Sequence, residues 1–209
     1  MAVLVPRRPA PETTPADEIR VFREPRFRRV IAVTALGSSG FSVVSGYIEP
    51  FPTAAIAGLL VVLGLGGLLG NLLAGRATDR GPARVIRVSY AAGTVLSALM
   101  PFVTTWRPAA VVVVFALGVA MAAVIPPLQG MILNLAGKQS TMAVTVNVAA
   151  FLVGHAIGAS FGGLLIELTS VRWTGGLGAV FCAAGLGPAL ATVARRRVQS
   201  APEAALTTM

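Results

Sequence analysis

Apolar residues run through this chain in six long stretches, approximately residues 30–48, 54–74, 85–104, 109–135, 141–168 and 174–194. Neither the period of a half-buried strand nor the one-sided stripe of a soluble helix organises them. Each is long enough, as a helix, to cross a hydrocarbon core of roughly 30 Å. The interruptions are short: Glu49-Pro50-Phe51-Pro52, then residues 76–84, 105–108, 137–140 and 169–173. The pattern predicts an all-α integral membrane protein of six transmembrane helices, with a tail over residues 1–29, a membrane domain over 30–194 and a second tail over 195–209.

Small residues mark where these helices meet. Gly66 and Gly70 form a GxxxG pair in the second stretch, and Gly154, Gly158 and Gly162 recur every fourth residue in the fifth. Such spacing lines small residues along one helix face and lets a neighbouring backbone approach closely. Pro126-Pro127 in the fourth stretch removes two backbone donors and predicts a break. A break survives at membrane depth where protein or a water-filled cavity satisfies the freed carbonyls, so it belongs inside the bundle. The second and fifth stretches are the middle members of two three-helix halves. An odd number of spans per half gives the halves opposite orientation, as in two inverted three-helix repeats.

Composition agrees: 55% of the 209 residues are hydrophobic and 12% charged, with a mean hydropathy of +0.79. The net charge of +9 does not indicate a nucleic-acid partner, because Lys and Arg sit in short clusters between apolar runs with no basic stripe among exposed aromatics. The partner is the lipid bilayer. Counted by alternate sides of six crossings, 15 Lys and Arg fall on one side and only Arg107 and Arg172 on the other. The excess predicts that both termini are cytoplasmic and that the orientation is fixed. The one cysteine, Cys182, lies in an apolar run, which excludes an intrachain disulfide and a cysteine metal cluster. The polar, Pro-, Glu- and Arg-rich opening carries no secretory-signal pattern, although residues 18–23 suit a short interfacial helix. Catalytic motifs, a phosphate-binding loop and metal-ligand clusters are all missing. No enzyme activity, cofactor or metal is expected.

Gly75, Asp79, Arg80 and Arg84, with Arg76 beside them, resemble the cytoplasmic signature of the major facilitator superfamily, G-x-x-x-D-R/K-x-G-R/K-R/K. Pro82 and Ala83 depart from it. Residues 46–51 (GYIEPF), Pro126-Pro127-Leu128-Gln129 and the stretch from Asn147-Val148-Ala149-Ala150-Phe151 to Gly163 are similar to the seventh, tenth and eleventh helices of the family's sugar-efflux and drug:proton antiporter branch. The resemblance covers nearly the whole chain but half of the family's usual twelve helices. It implies the C-terminal half of a bacterial inner-membrane exporter that moves a small-molecule substrate by proton-coupled alternating access. It also implies a second six-helix half, from a homodimer or a separate chain. The competing expectation is a truncated or degenerate remnant that acts, if at all, through interactions.

By the same resemblance, Gly75, Arg76, Asp79, Arg80 and Arg84 form a cytoplasmic gate latch; on chemistry alone Asp79 is placed to pair with Arg76 or Arg84 and to cap the next helix. Candidates for carrying a proton or lining a cavity are Glu49, Asn71, Gln129, Asn147 and His155, since polar groups enter a span where they find partners or a function. His155 is the one histidine, with a ring that titrates near physiological pH. The plainer expectation makes it interhelical glue, bonded to Asn71 or to a backbone carbonyl. Glu49 is plainer as a solvated interfacial carboxylate. Met121, Met131 and Phe115 read as packing or lipid-facing residues.

Overall fold

The computed structural model describes residues 23–45, 53–103, 107–137, 140–171, 173–187 and 189. Glu49, Lys138, Arg172, the outer tails and the suggested interfacial helix up to residue 22 lie outside the described residues. Everything regular among those described is helical: α1 (Pro25–Ser45), α2 (Thr53–Thr78), α3 (Pro82–Val103), α4 (Arg107–Ala122), α5 (Ile125–Ala136), α6 (Ser140–Leu168) and α7 (Trp173–Gly187).

Four segments are long and apolar enough to cross a membrane: Ala55–Thr78, Pro82–Val103, Pro108–Ala136 and Met142–Leu168. They coincide with the second to fifth stretches. The first and sixth stretches fall outside that set for different reasons. Helix α1 begins five residues earlier than the apolar run, at Pro25, where a missing N–H costs nothing. Its first turns bring Arg26, Arg28 and Arg29, and its body carries Thr34, Ser38, Ser39 and Ser42. Helix α7 is an apolar helix whose described part is shorter than a full span.

α4 and α5 are two segments of one interrupted rod. Pro126 and Pro127 stand at the start of α5 and offer no N–H to the carbonyls a turn earlier. The chain turns at Ala123 and Val124 and resumes through Leu128 N–H to the Val124 carbonyl, 3.3 Å. Gly137 ends α5 with φ 54°, a left-handed geometry open to glycine.

Helix directions follow from the contacts. Thr34, Ser38 and Ser42 on α1 reach Asn147 and the backbone carbonyls of Phe151 and His155 on α6 at 2.8, 3.1 and 2.8 Å. Both series climb in steps of four, so α1 and α6 run parallel in register. Gly66 and Gly70 on α2 lie against the Phe115 and Val119 carbonyls on α4, and Gly118 on α4 lies against Leu63. That pair is parallel too. Gly154 and Gly158 bring α6 against the Ala35 and Ser39 backbone. α7 runs against α1 and α3: Gly185 sits by Gly37, Gly178 by Gly40, and Gly175 by Ser97. With the tight turn at residues 79–81 folding α3 back on α2, successive rods alternate in direction.

The hydroxyl ladder also suits a low-dielectric setting, because two of its three donors have a carbonyl on their own helix to fall back on: Thr34 to Val30 at 3.0 Å and Ser38 to Ala35 at 3.0 Å. Interhelical hydrogen bonds in membranes contribute about 0.6 kcal/mol on average for that reason. Ser38→Ala and Ser42→Ala are each expected to lower stability by about 0.5–1 kcal/mol. Denaturant titration in mixed micelles checks this, and a loss above about 2 kcal/mol for either would show that the ladder is not a set of replaceable bonds.

Candidate functional site

The proline break, the ladder and α3 together enclose a cavity of ≈ 190 Å³. Thr34 and Ser38 enter it from α1, Gln129 from α5 and Asn147 from α6. Phe41, Tyr90 and Phe151 supply aromatic faces and Met121 an adaptable apolar one. Asn147 is 7% exposed, its Oδ1 accepts the Thr34 hydroxyl, and the residue lines the cavity. Tyr90 donates its own hydroxyl to the Val33 carbonyl at 2.9 Å and presents its ring. Among the described residues no charged side chain lines this space. Such a lining can hold an uncharged solute by hydrogen bonds and ring stacking. It offers an ion no counter-charge.

Gln129 and Asn147 are therefore brought together in one wall. Asn71 is not: it is exposed on α2, away from the cavity. The suggested bond between His155 and Asn71 is corrected accordingly. His155 instead lies tilted against Phe151, with centroids 4.4 Å apart at 32°, and its buried Nδ1 makes no well-formed hydrogen bond, interacting with the Phe151 backbone of its own helix. Met121, read as packing, lines the cavity. Phe115 contributes its carbonyl to the Gly66 contact.

The turn from α2 to α3 places Arg76, Asp79, Arg80 and Arg84 at the surface. The Asp79 side chain forms no ion pair or hydrogen bond among the described residues, so the expected pairing with Arg76 or Arg84 and the expected cap are absent. The turn is held by its backbone, through Arg80 N–H to Ala77, Gly81 N–H to Thr78 and Arg84 N–H to Gly81, and by the Thr78 hydroxyl on Ala74 at 2.6 Å. Gly75 has open space around it. Of the predicted packing glycines, Gly66, Gly70, Gly154 and Gly158 stand against neighbouring backbone, while Gly162 is in ordinary contact with Val43 at 3.6 Å.

Thr34, Ser38, Phe41, Tyr90 and Phe151 were not singled out by sequence reasoning. The signal for two of them was present as hydroxyl residues every fourth position, Thr34, Ser38 and Ser42.

A helical chain with four membrane-length segments and a neutral cavity beside a proline break belongs among multi-pass membrane proteins with an interior solute-sized space. The Major Facilitator Superfamily matches residues 30–207, and the chain belongs to that family, one of transporters and not of enzymes. It is 31% identical over 195 residues to the uncharacterized MFS-type transporter YfhI of Bacillus subtilis, covering 89% of this chain and 49% of that protein. It is 27% identical over 157 residues to the inner membrane transport protein YdhP of Escherichia coli, covering 72% and 40%. A probable sugar efflux transporter of Pasteurella multocida is 26% identical over 175 residues, covering 79% and 43%. The chain spans about half the length, or less, of the curated relatives it matches.

Proposed function

We propose that this chain is one half of a secondary active transporter that exports a small solute by proton-coupled alternating access, with the ≈ 190 Å³ cavity as its share of the solute site. The cavity carries the proposal: neutral hydrogen-bonding groups and aromatic faces converge beside a proline break, whose flanking residues Val124, Ile125 and Leu128 line the same space. The lining favours a hydroxyl- or amide-bearing solute over an ion. The similarity to a relative named as a probable sugar efflux transporter supports that class.

The second half is a second copy of this chain or a separate chain. Two observations support it. The chain covers about half of its relatives, and α2 and α6 each turn large apolar side chains outward, among them Leu65 at 55% and Leu152 at 61% exposure. In this reading the domain is six spans in two inverted repeats. An inverted repeat exchanges the first rod with the fourth and the second with the fifth, so it exchanges the α1–α6 pair with the α2–α4 pair, and both are parallel, glycine-mediated contacts. Both termini are cytoplasmic, and the exposed Asp79 and its arginines face the partner half as a latch completed in trans, with Gly75 leaving room beside them.

The test is reconstitution into vesicles with an imposed pH gradient, assayed with a radiolabelled neutral hexose and, for contrast, a cationic dye. Asn147→Leu and Gln129→Leu are each expected to cut hexose transport about tenfold with normal folding, the loss of one or two hydrogen bonds. Asp79→Asn is expected to slow transport without changing solute binding. Native mass measurement should find paired halves. A strictly monomeric chain that moves neither probe would sink the reading.

A further inference from the structure

His155 lies in the middle of α6, and its buried Nδ1 makes no well-formed hydrogen bond, the Phe151 backbone one turn back on its own helix being the polar group that interacts with the ring. A buried polar atom without a well-formed hydrogen bond carries a desolvation cost and calls for a reason. Interhelical glue is not the reason, since the ring bonds to nothing across the interface. Packing alone is a poor one, because any apolar residue would pack there without the cost.

The surroundings supply another. His155 borders a second cavity, of ≈ 80 Å³, and is the one polar side chain among the described residues that line it. Phe41 and Met121 line both this chamber and the polar one, and Phe151 lines the polar chamber while lying against His155. On α6 the polar chamber takes Asn147 and Phe151, and the second takes His155 one turn further on. The chambers are thus stacked along the helices, parted at the level of Phe41, Met121 and Phe151. An ionisable group at this depth, beside a space able to admit water, marks a pathway more often than a scaffold.

We propose that His155 is a proton-binding site of the membrane domain, and that its protonation shifts the Phe41–Met121–Phe151 partition and so changes access to the polar cavity. The proton arrives from chamber water, adds to the free lone pair of the imidazole and leaves from the same nitrogen. No other bond changes. The residues that line this chamber with His155 are Phe41 and Val44 from α1, Leu63 from α2, Met100 from α3 and Val114, Leu117 and Met121 from α4. Among the described residues none of these is titratable or charged, and the adjoining chamber adds one titratable group, the Tyr90 hydroxyl of α3, which is donated to the Val33 carbonyl, and from α5 the neutral Gln129 beside Ile125 and Leu128. The new charge is therefore answered by the Phe151 face and by water drawn in past Phe41 and Met121, which is how charging the ring moves the partition. The inference rests on the transport reading for its use and not for its test.

Because the chain has one histidine, selective 15N-histidine labelling of the full protein in lipid nanodiscs reports this residue alone. The two ring nitrogens are expected to pass reversibly on acidification, within the pH range over which the protein stays folded, from the separated resonances of a neutral imidazole to the nearly equal ones of an imidazolium. A ring that stays neutral down to the acid limit of folding would overturn the proposal. Coupling is read with Gln129→Cys in a Cys182→Ala background. The ratio of its alkylation rates with His155 and with His155→Gln is expected to change at least about fivefold between low and high pH, and a constant ratio removes the coupling. Both measurements need neither solute nor partner half, so failure here leaves the transport reading standing, and absence of transport leaves the titration standing.

Discussion

Gly158→Leu is expected to separate α1 from α6 and to leave little folded protein, whereas Gly162→Ala, one turn along the same helix, is expected to melt with the parent chain. The difference lies in what a side chain would meet. At Gly158 the obstacle is the Ser39 backbone, including its carbonyl, and at Gly154 it is the Ala35 carbonyl together with the Ser38 hydroxyl. Backbone in a helix cannot rotate aside as a side chain can, so the helices themselves must part. Overpacking of even a methyl group costs roughly 1–3 kcal/mol where neighbours can adjust. Here parting also breaks Thr34–Asn147, Ser38–Phe151 and Ser42–His155. We expect a loss of about 3 kcal/mol for Gly158→Ala and more for Leu. Gly162 meets only Val43, at 3.6 Å, and Gly163 meets nothing within 4 Å. Heating purified variants in detergent and following the monodisperse fraction by size exclusion checks the series. A Gly158→Leu variant that survives like Gly162→Ala would mean that the α1–α6 seam is not held by backbone proximity.

The same residues show how much could be read in advance. The stretches 54–74, 85–104 and 141–168 meet helices α2, α3 and α6 to within a few residues, because hydropathy and helix length express one physical requirement in a bilayer. The start of α1 was not legible: arginines at its water-facing end lower the hydropathy without opposing the helix. Gln129 and Asn147 stood out because an amide in a span is costly without a partner. Thr34 and Ser38 did not, since a hydroxyl that can fall back on its own helix is cheap anywhere in a span. Asn71 shows the limit from the other side. It neighbours Gly70, which faces α4, yet one residue is about 100° of rotation, and only the identity of the partner helix decides which face is inside. Tyr90 was invisible for a related reason: its role depends on Gly37, which is 53 residues away in the sequence.

That pair carries the last expected result. Tyr90 is 1% exposed, its ring lies where a Cβ on Gly37 would be, and it stacks with Phe41 at 6.2 Å. Tyr90→Ala is expected to cost about 3–5 kcal/mol, in the range for emptying an aromatic site, and to widen the polar cavity that Tyr90 lines. Tyr90→Phe removes only the bond to the Val33 carbonyl and should cost about 1 kcal/mol. Gly37→Ala alone should cost about as much as other overpacked sites, roughly 2 kcal/mol, since the ring is pinned by its own hydrogen bond. Combined, the two changes cannot add. With the ring gone the Gly37 methyl has room and fills part of the void, so Gly37→Ala in the Tyr90→Ala background should be neutral or stabilising. A double-mutant cycle on unfolding free energies in mixed micelles should therefore yield a coupling of about 2 kcal/mol in favour of the pair. Simple additivity would mean that α1 and α3 do not meet through this knob and hollow, and the aromatic wall of the cavity would have to be held by other contacts.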